Sequence, residues 1–186
     1  MTDKIVVVAA PSGAGKNTFI DKALEIFPNL KDVITYTTRE MRAGEREGCP
    51  YHFVSETKFK ELIAQEFFVE WAPVHIYYYG TPWDQIRDNW KKGNGVIMDL
   101  DVQGAETFRN KFPQCLSLFI EPPSIDVLKE RIIKREGKLP TDIDVRMQSA
   151  EKEMARAHEF THRIVNDDFE VAFEQFKTIL DSYLNG

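Results

Sequence analysis

Ile5-Val6-Val7-Val8-Ala9 runs without a break into Ala10-Pro11-Ser12-Gly13-Ala14-Gly15-Lys16-Asn17-Thr18, and a helix-period pattern follows at once. A strand feeding a glycine-rich loop and then a helix N-terminus aims backbone N–H groups and the positive end of the helix dipole into one concavity. A lysine beside it can meet the outer phosphates of a nucleotide. The stretch therefore predicts a phosphate-binding loop at the end of a buried strand, and with it a nucleoside triphosphate site. Read without its flanks, it is a Gly-Ala-Gly turn next to a surface lysine. Two positions depart from the usual G-x-x-x-x-G-K-[ST] pattern: Ala10 stands for the first glycine and Asn17 for the hydroxyl residue. Asn17 offers Mg²⁺ a carboxamide oxygen where a hydroxyl is usual.

Working outward, composition limits the rest. The 186 residues suffice for a full hydrophobic core, and one domain with insertions is expected. Apolar residues make up 42% and charged residues 29%, the balance of an ordinary globular chain. No apolar run reaches the ~20 residues that cross a bilayer, and no basic segment followed by a hydrophobic stretch stands at the N-terminus. A cytoplasmic protein with no membrane partner is expected. Cys49 and Cys115 lie far apart and read as two reduced thiols. The formal charge of −6, from 24 Lys and Arg against 30 Asp and Glu, argues against a nucleic-acid partner. Basic islands still stand out: Arg39, Arg42 and Arg46, then Lys129, Arg131, Lys134, Arg135 and Lys138. In an acidic chain such islands point to small anions, although a solvated helix face explains the second equally well.

Hydrophobic periodicity outlines an α/β sandwich. Residues 17–27 carry Phe19, Ile20, Ala23, Leu24 and Phe27 at helical spacing and end at Pro28. Residues 95–99 and 115–120 are apolar runs of strand length around a helix from Gln103 to Phe112, which predicts parallel pairing with a right-handed crossover. Ser124 is read as the N-cap of the next helix. Thr141 with Asp144 resembles a capping box, opening a helix whose Ile143, Met147, Ala150, Met154 and Ala157 form one core stripe. A strand over Arg163–Val165 leads into a last helix with Phe169, Ala172, Phe173, Phe176, Leu180 and Leu184 on one face. Residues 32–81 break the alternation. Strand-like pieces at Tyr51–Val54 and Phe67–Trp71, around a helix near Glu56–Ala64, predict a small mixed subdomain inserted after the second strand.

That insertion carries the most specific residues. Thr37-Thr38-Arg39-Glu40-Met41-Arg42-Ala43-Gly44-Glu45 continues to Gly48 and Tyr51, and is followed by Glu70, Tyr78-Tyr79-Gly80-Thr81, Asp99-Leu100-Asp101-Val102-Gln103-Gly104 and Ile164-Val165-Asn166-Asp167-Asp168. Together with the loop at 13–18, this order and spacing resembles the guanylate kinases over nearly the whole chain. The resemblance implies a three-layer P-loop NTPase core with a parallel sheet over about 1–34, 82–125 and 160–186. It further implies an inserted small mixed GMP-binding subdomain over about 35–81 and a helical lid over about 126–159. The activity implied is transfer of the γ-phosphoryl of ATP to GMP, and to dGMP as well, in purine nucleotide metabolism.

Residue by residue, the resemblance places ATP on Ser12, Gly13, Ala14, Gly15, Lys16, Asn17, Thr18 and Asn166, with Mg²⁺ on Asn17 and Asp99. GMP falls to Thr35, Arg39, Arg42, Glu45, Tyr51, Glu70, Tyr79, Thr81 and Asp101. The arginines would grip the acceptor phosphate, and Glu70 would take the N1–H and amino group of guanine together. Lys16, Arg39, Arg131, Arg135 and Arg146 would carry catalysis, the last three from the lid and its hinge. Salt bridges to Glu130 or Glu136 are the alternative for Arg131, and a weaker one for all three arginines together. Guanylate kinase-like domains also occur as inactive modules that bind phosphorylated peptides, and these typically lose the loop lysine and lid arginines. A further option is a P-loop kinase acting on a different acceptor. A monomer or a homodimer is equally compatible with the sequence.

Overall fold

The computed structural model describes residues 3–41, 44–74 and 76–186. Its main sheet is built on β1 (Ile5–Ala9), every residue of which is buried. Alternate side chains of this strand feed opposite faces: Ile5, Val7 and Ala9 join one hydrophobic cluster, Val6 and Val8 the other. A strand apolar on both faces is the mark of a parallel sheet covered twice. The sheet has the order β2 (Leu30–Asp32), β7 (Gly95–Asp99), β1, β8 (Leu116–Glu121), β9 (His162–Val165), and each neighbouring pair is parallel. One face is covered by α1 (Lys16–Ile26) and α7 (Phe169–Asn185), through Phe19, Ala172, Phe173 and Phe176. The other is covered by α3 (Trp83–Lys91) and α4 (Val102–Lys111). This is the three-layer α/β core that the sequence predicts. One detail differs: the strands at 95–99 and 116–121 are parallel but do not touch, because β1 lies between them.

A second sheet is made wholly from residues 36–82, in the order β4 (His52–Phe53), β3 (Tyr36–Thr37), β6 (Tyr77–Pro82), β5 (Phe68–Val74). Helix α2 (Glu56–Ala64), with the bounds read from sequence and an N-cap on Ser55, packs Phe59 and Leu62 against Phe68. Gly80 is fixed by that packing, since a Cβ there would fall 2.9 Å from the Phe68 ring. Strand β5 continues past the predicted end at Trp71 and through Pro73. An edge strand tolerates proline, whose missing N–H can face outward, and β5 is at the edge.

Helices α5 (Ile125–Glu136) and α6 (Ile143–Ala155) form a pair whose Leu128, Ile132, Ile143, Met147 and Ala150 enclose Ala14. Ser124 caps α5 as predicted, accepting from the Val127 N–H at 3.2 Å. The capping box at Thr141 and Asp144 does not form. Asp142 is the N-cap of α6 without a side-chain cap bond, and its carboxylate instead accepts from Arg146 Nε at 2.9 Å. Replacing Ser124 with alanine is expected to cost about 1 kcal/mol, lowering the thermal midpoint by about 2–4 °C; differential scanning calorimetry reads it directly. Among the described residues no helix is long and apolar enough to cross a membrane.

Candidate active site

The loop after β1 is shaped by two glycines in the left-handed region, Gly13 and Gly15, both at φ 96°. Each is also hemmed in. A Cβ on Gly13 would meet Ile132 at 2.8 Å, and one on Gly15 would meet the Asn166 amide at 2.9 Å. Gly15 is the N-cap of α1, so the free N–H groups of the first helical turn open where the loop ends. Asn166 ties the loop down from behind, donating to the Ala14 carbonyl at 2.8 Å, while Arg131 donates to the Asn166 carbonyl at 2.9 Å. Ser12, Asn17 and Thr18 stand exposed at the mouth. Lys16 reaches across to Asp99 at the end of β7, 2.9 Å away. The residues read from sequence as a donor site thus converge at the carboxyl ends of β1 and β7, where ligands of open α/β sheets bind.

The second cluster belongs to the inserted sheet. Arg39, although charged, is 7% exposed. Its two terminal nitrogens meet both Glu45 oxygens, at 3.0 and 2.8 Å, and one also donates to the Glu40 carbonyl at 2.8 Å. The rings of Tyr51 and Phe53 each lie 5.5 Å from the guanidinium, and the Tyr79 phenol is near enough to favour its charged form. Tyr51 and Tyr79 pack edge to face at 5.7 Å. Arg42 lies outside the described residues. The two clusters lie near enough to feel one another: the charge of Asp99 is the foremost cause that drives the Tyr51 phenol well above its ordinary range, followed by burial. Asp99 belongs to the loop-lysine side and Tyr51 to the arginine side.

Glu70, 7% exposed, sits where β5 meets α4. The Thr81 hydroxyl donates to its Oε1 at 2.6 Å, and a Cβ on Gly104 would stand 3.0 Å from its Oε2. Burial pushes this carboxyl up to about 7, opposed by the Thr81 bond and reinforced by Asp101. Asp101 is the N-cap of α4, accepting from Gly104 N–H at 2.7 Å, a structural task the sequence reading did not assign to it. Thr35, expected near the base, is buried, and its Oγ1 has no hydrogen-bond partner among the described residues.

The three arginines expected in a lid divide. Arg131 acts at the loop through Asn166, whereas Arg146 pairs with Glu136 and Asp142, and half-exposed Arg135 lies 3.6 Å from Glu136. The salt-bridge reading favoured for Arg131 is thus not met there, where the guanidinium takes the Asn166 carbonyl, and instead describes Arg135 and Arg146. Glu153 on α6 escapes a motif search. Burial raises its carboxyl, and it feels both Lys16 and Asp101. A carboxylate three residues beyond Ala150 on an inward stripe is the signal that could have found it.

The sequence model described as guanylate kinase matches residues 2–183. The chain is 46% identical over 184 residues to the guanylate kinase of Bdellovibrio bacteriovorus, covering 99% of this chain and 100% of that one. It is 43% identical to that of Photobacterium profundum, across 95% and 86% of the two chains. Its structure superposes on the crystal structure of guanylate kinase from Anaplasma phagocytophilum with a TM-score of 0.78 at 29% identity, covering 96% of this chain and 84% of the other. With a glycine loop, a lysine–aspartate pair and a caged arginine, and this similarity along nearly its whole length, the chain belongs to the guanylate kinase family.

Proposed function

We propose that this chain transfers the γ-phosphoryl group of ATP to GMP, and to dGMP, giving ADP and GDP. What supports the reading is a pair of neighbouring clusters suited to anions: loop amides with Lys16 and Asp99 in one, Arg39 with Tyr51 and Tyr79 in the other, with the Asp99 charge acting on Tyr51 between them. Phosphoryl transfer needs mainly in-line positioning and charge stabilisation, so two such clusters suffice without a covalent nucleophile. Loop amides at 13–18 and Lys16 would hold the donor phosphates, and Asn166 keeps the loop in shape. Arg39 and Arg42 would bind the acceptor phosphate, Glu45 holding Arg39 in orientation and Tyr51 and Tyr79 adding hydroxyls. Thr35, Glu70, Thr81 and Asp101 would surround the guanine. Residues 35–81 would then be the GMP-binding insertion and 126–159 the lid, whose Arg131, Arg135 and Arg146 gather on the moving phosphoryl after the Glu136 pairs open.

The oxygen donors of Asp99 and Asn17 suit Mg²⁺, a hard cation that prefers carboxylates, amide oxygens and water. Bound with ATP, the ion would neutralise charge on the β- and γ-phosphates. A soluble enzyme of cytoplasmic purine nucleotide metabolism follows from this reading. The presence of Lys16 and Asp99 in contact favours the enzyme over a peptide-binding module. A coupled assay of ADP release with GMP, dGMP, AMP and UMP tests it. Turnover with GMP and dGMP is expected to exceed that with AMP by at least about a hundred-fold. No turnover with any acceptor, together with phosphopeptide binding, would favour the inactive module.

A further inference from the structure

Helix α4 meets β5 at two levels. Near its start, Gly104 lies against the Glu70 carboxylate. From its last residue, Lys111 extends back toward the helix N-terminus, the direction helical side chains take, and its ammonium donates to the Val69 carbonyl. Val69 is where β5 slips against β6: pairing passes from Phe68↔Pro82 to Glu70↔Thr81, leaving Val69 as the extra residue of a bulge. Three successive residues, Phe68, Val69 and Glu70, are consequently all buried, which a regular strand with one wet face does not allow. A bulged strand disrupts its ladder, and a buried carbonyl there needs another donor. Among the described residues Lys111 is the only basic side chain lining the cleft of about 500 Å³ that Val69 and Glu70 share with Trp71 and Trp83.

We infer that Lys111 is a positioning residue of the base pocket: holding the Val69 carbonyl fixes the bulge that aims Glu70 at Thr81 and α4. This rests on the reading of Glu70 as the guanine acceptor. Only the ionised carboxylate can accept from N1–H and the amino group together. Burial and the Asp101 charge work against ionisation, and Lys111 with the Thr81 hydroxyl works for it. Lys111 thus supports base recognition without touching either substrate.

The test is a ¹³C-carboxyl NMR titration of Glu70, with KM for GMP measured across pH, in the wild type and in Lys111→Met and Lys111→Arg. Methionine is expected to raise the Glu70 midpoint by about 0.5–1 unit and KM for GMP about three- to ten-fold below pH 7, with kcat changed less than about two-fold. Arginine restores both. If methionine fails to fold, Lys111→Gln, which keeps an N–H donor without the charge, must still raise the midpoint. An unmoved midpoint and KM in the methionine or glutamine variant, or no recovery with arginine, would overturn the assignment. Absence of GMP turnover in the wild type would overturn the functional reading instead, and the NMR midpoints would still decide the role of Lys111.

Discussion

Lys16→Met is expected to lower kcat about 10²–10³-fold while leaving GMP affinity within about two-fold. Methionine keeps the length of the side chain and deletes only the charge. That charge lies 2.9 Å from Asp99, with both side chains less than a quarter exposed, so its field is little screened by water. In the proposed reaction negative charge shifts onto the oxygen between the β- and γ-phosphates as the bond breaks, and an ammonium fixed beside the loop stabilises that change without reorganising. Removal also leaves Asp99 without its cation, so the acidic end of β7 would repel the donor phosphates. GMP should be indifferent, because Arg39 is held in place by Glu45 and the Glu40 carbonyl rather than by Lys16. Single-turnover kinetics with calorimetric GMP binding separates the two effects. Activity equal to the wild type would remove Lys16 from the donor site.

The parts of this molecule that can be read from sequence are those whose physics is local or repetitive. Ile5–Ala9 announces a doubly covered strand because five consecutive apolar residues can be buried only with sheet neighbours on both sides. Glu56–Ala64 and Gly95–Asp99 end where they were read, at a serine cap and at glycine or acidic boundaries. The parts that escape depend on partners distant in the chain. Pro73 lies inside a strand because topology puts β5 on an edge, and the capping box fails because α6 starts at Ile143 with Asp142, not Thr141, at the cap. The loop lysine meets Asp99 and Arg39 meets Glu45 as the motifs suggest, but the pairing of Arg135 and Arg146 with Glu136 follows from the packing of α5 on α6. Lys111 reads in sequence as an ordinary basic helix end and gains its role only where β5 bulges.

Glu70→Gln is expected to lower kcat/KM for GMP about a thousand-fold and to erase most of the preference over AMP. The carboxamide keeps the shape but replaces one acceptor with an N–H donor, which must then face the N1–H or amino group of guanine. In a pocket where Glu70 is 7% exposed, two opposed donors have no water to turn to. Adenine presents an acceptor at N1, so the same substitution turns a repulsion into a possible bond. The pH dependence follows from the carboxyl lying near 7 against an ordinary 4.5. GMP should bind better as pH rises through 7 in the wild type, since the ionised form is the acceptor, and should lose that dependence in the variant. Stability runs the other way. A carboxyl whose folded pKa is raised supports the fold fully below pH 4.5, and that support is lost as pH rises through 7. The neutral glutamine carries no such loss, so the thermal midpoint of the variant should gain on the wild type between pH 5 and 8 as its GMP activity collapses. Measured together, the opposite slopes distinguish a base-reading carboxylate from a structural one, for which the substitution would change the midpoint and leave the choice between GMP and AMP where it was.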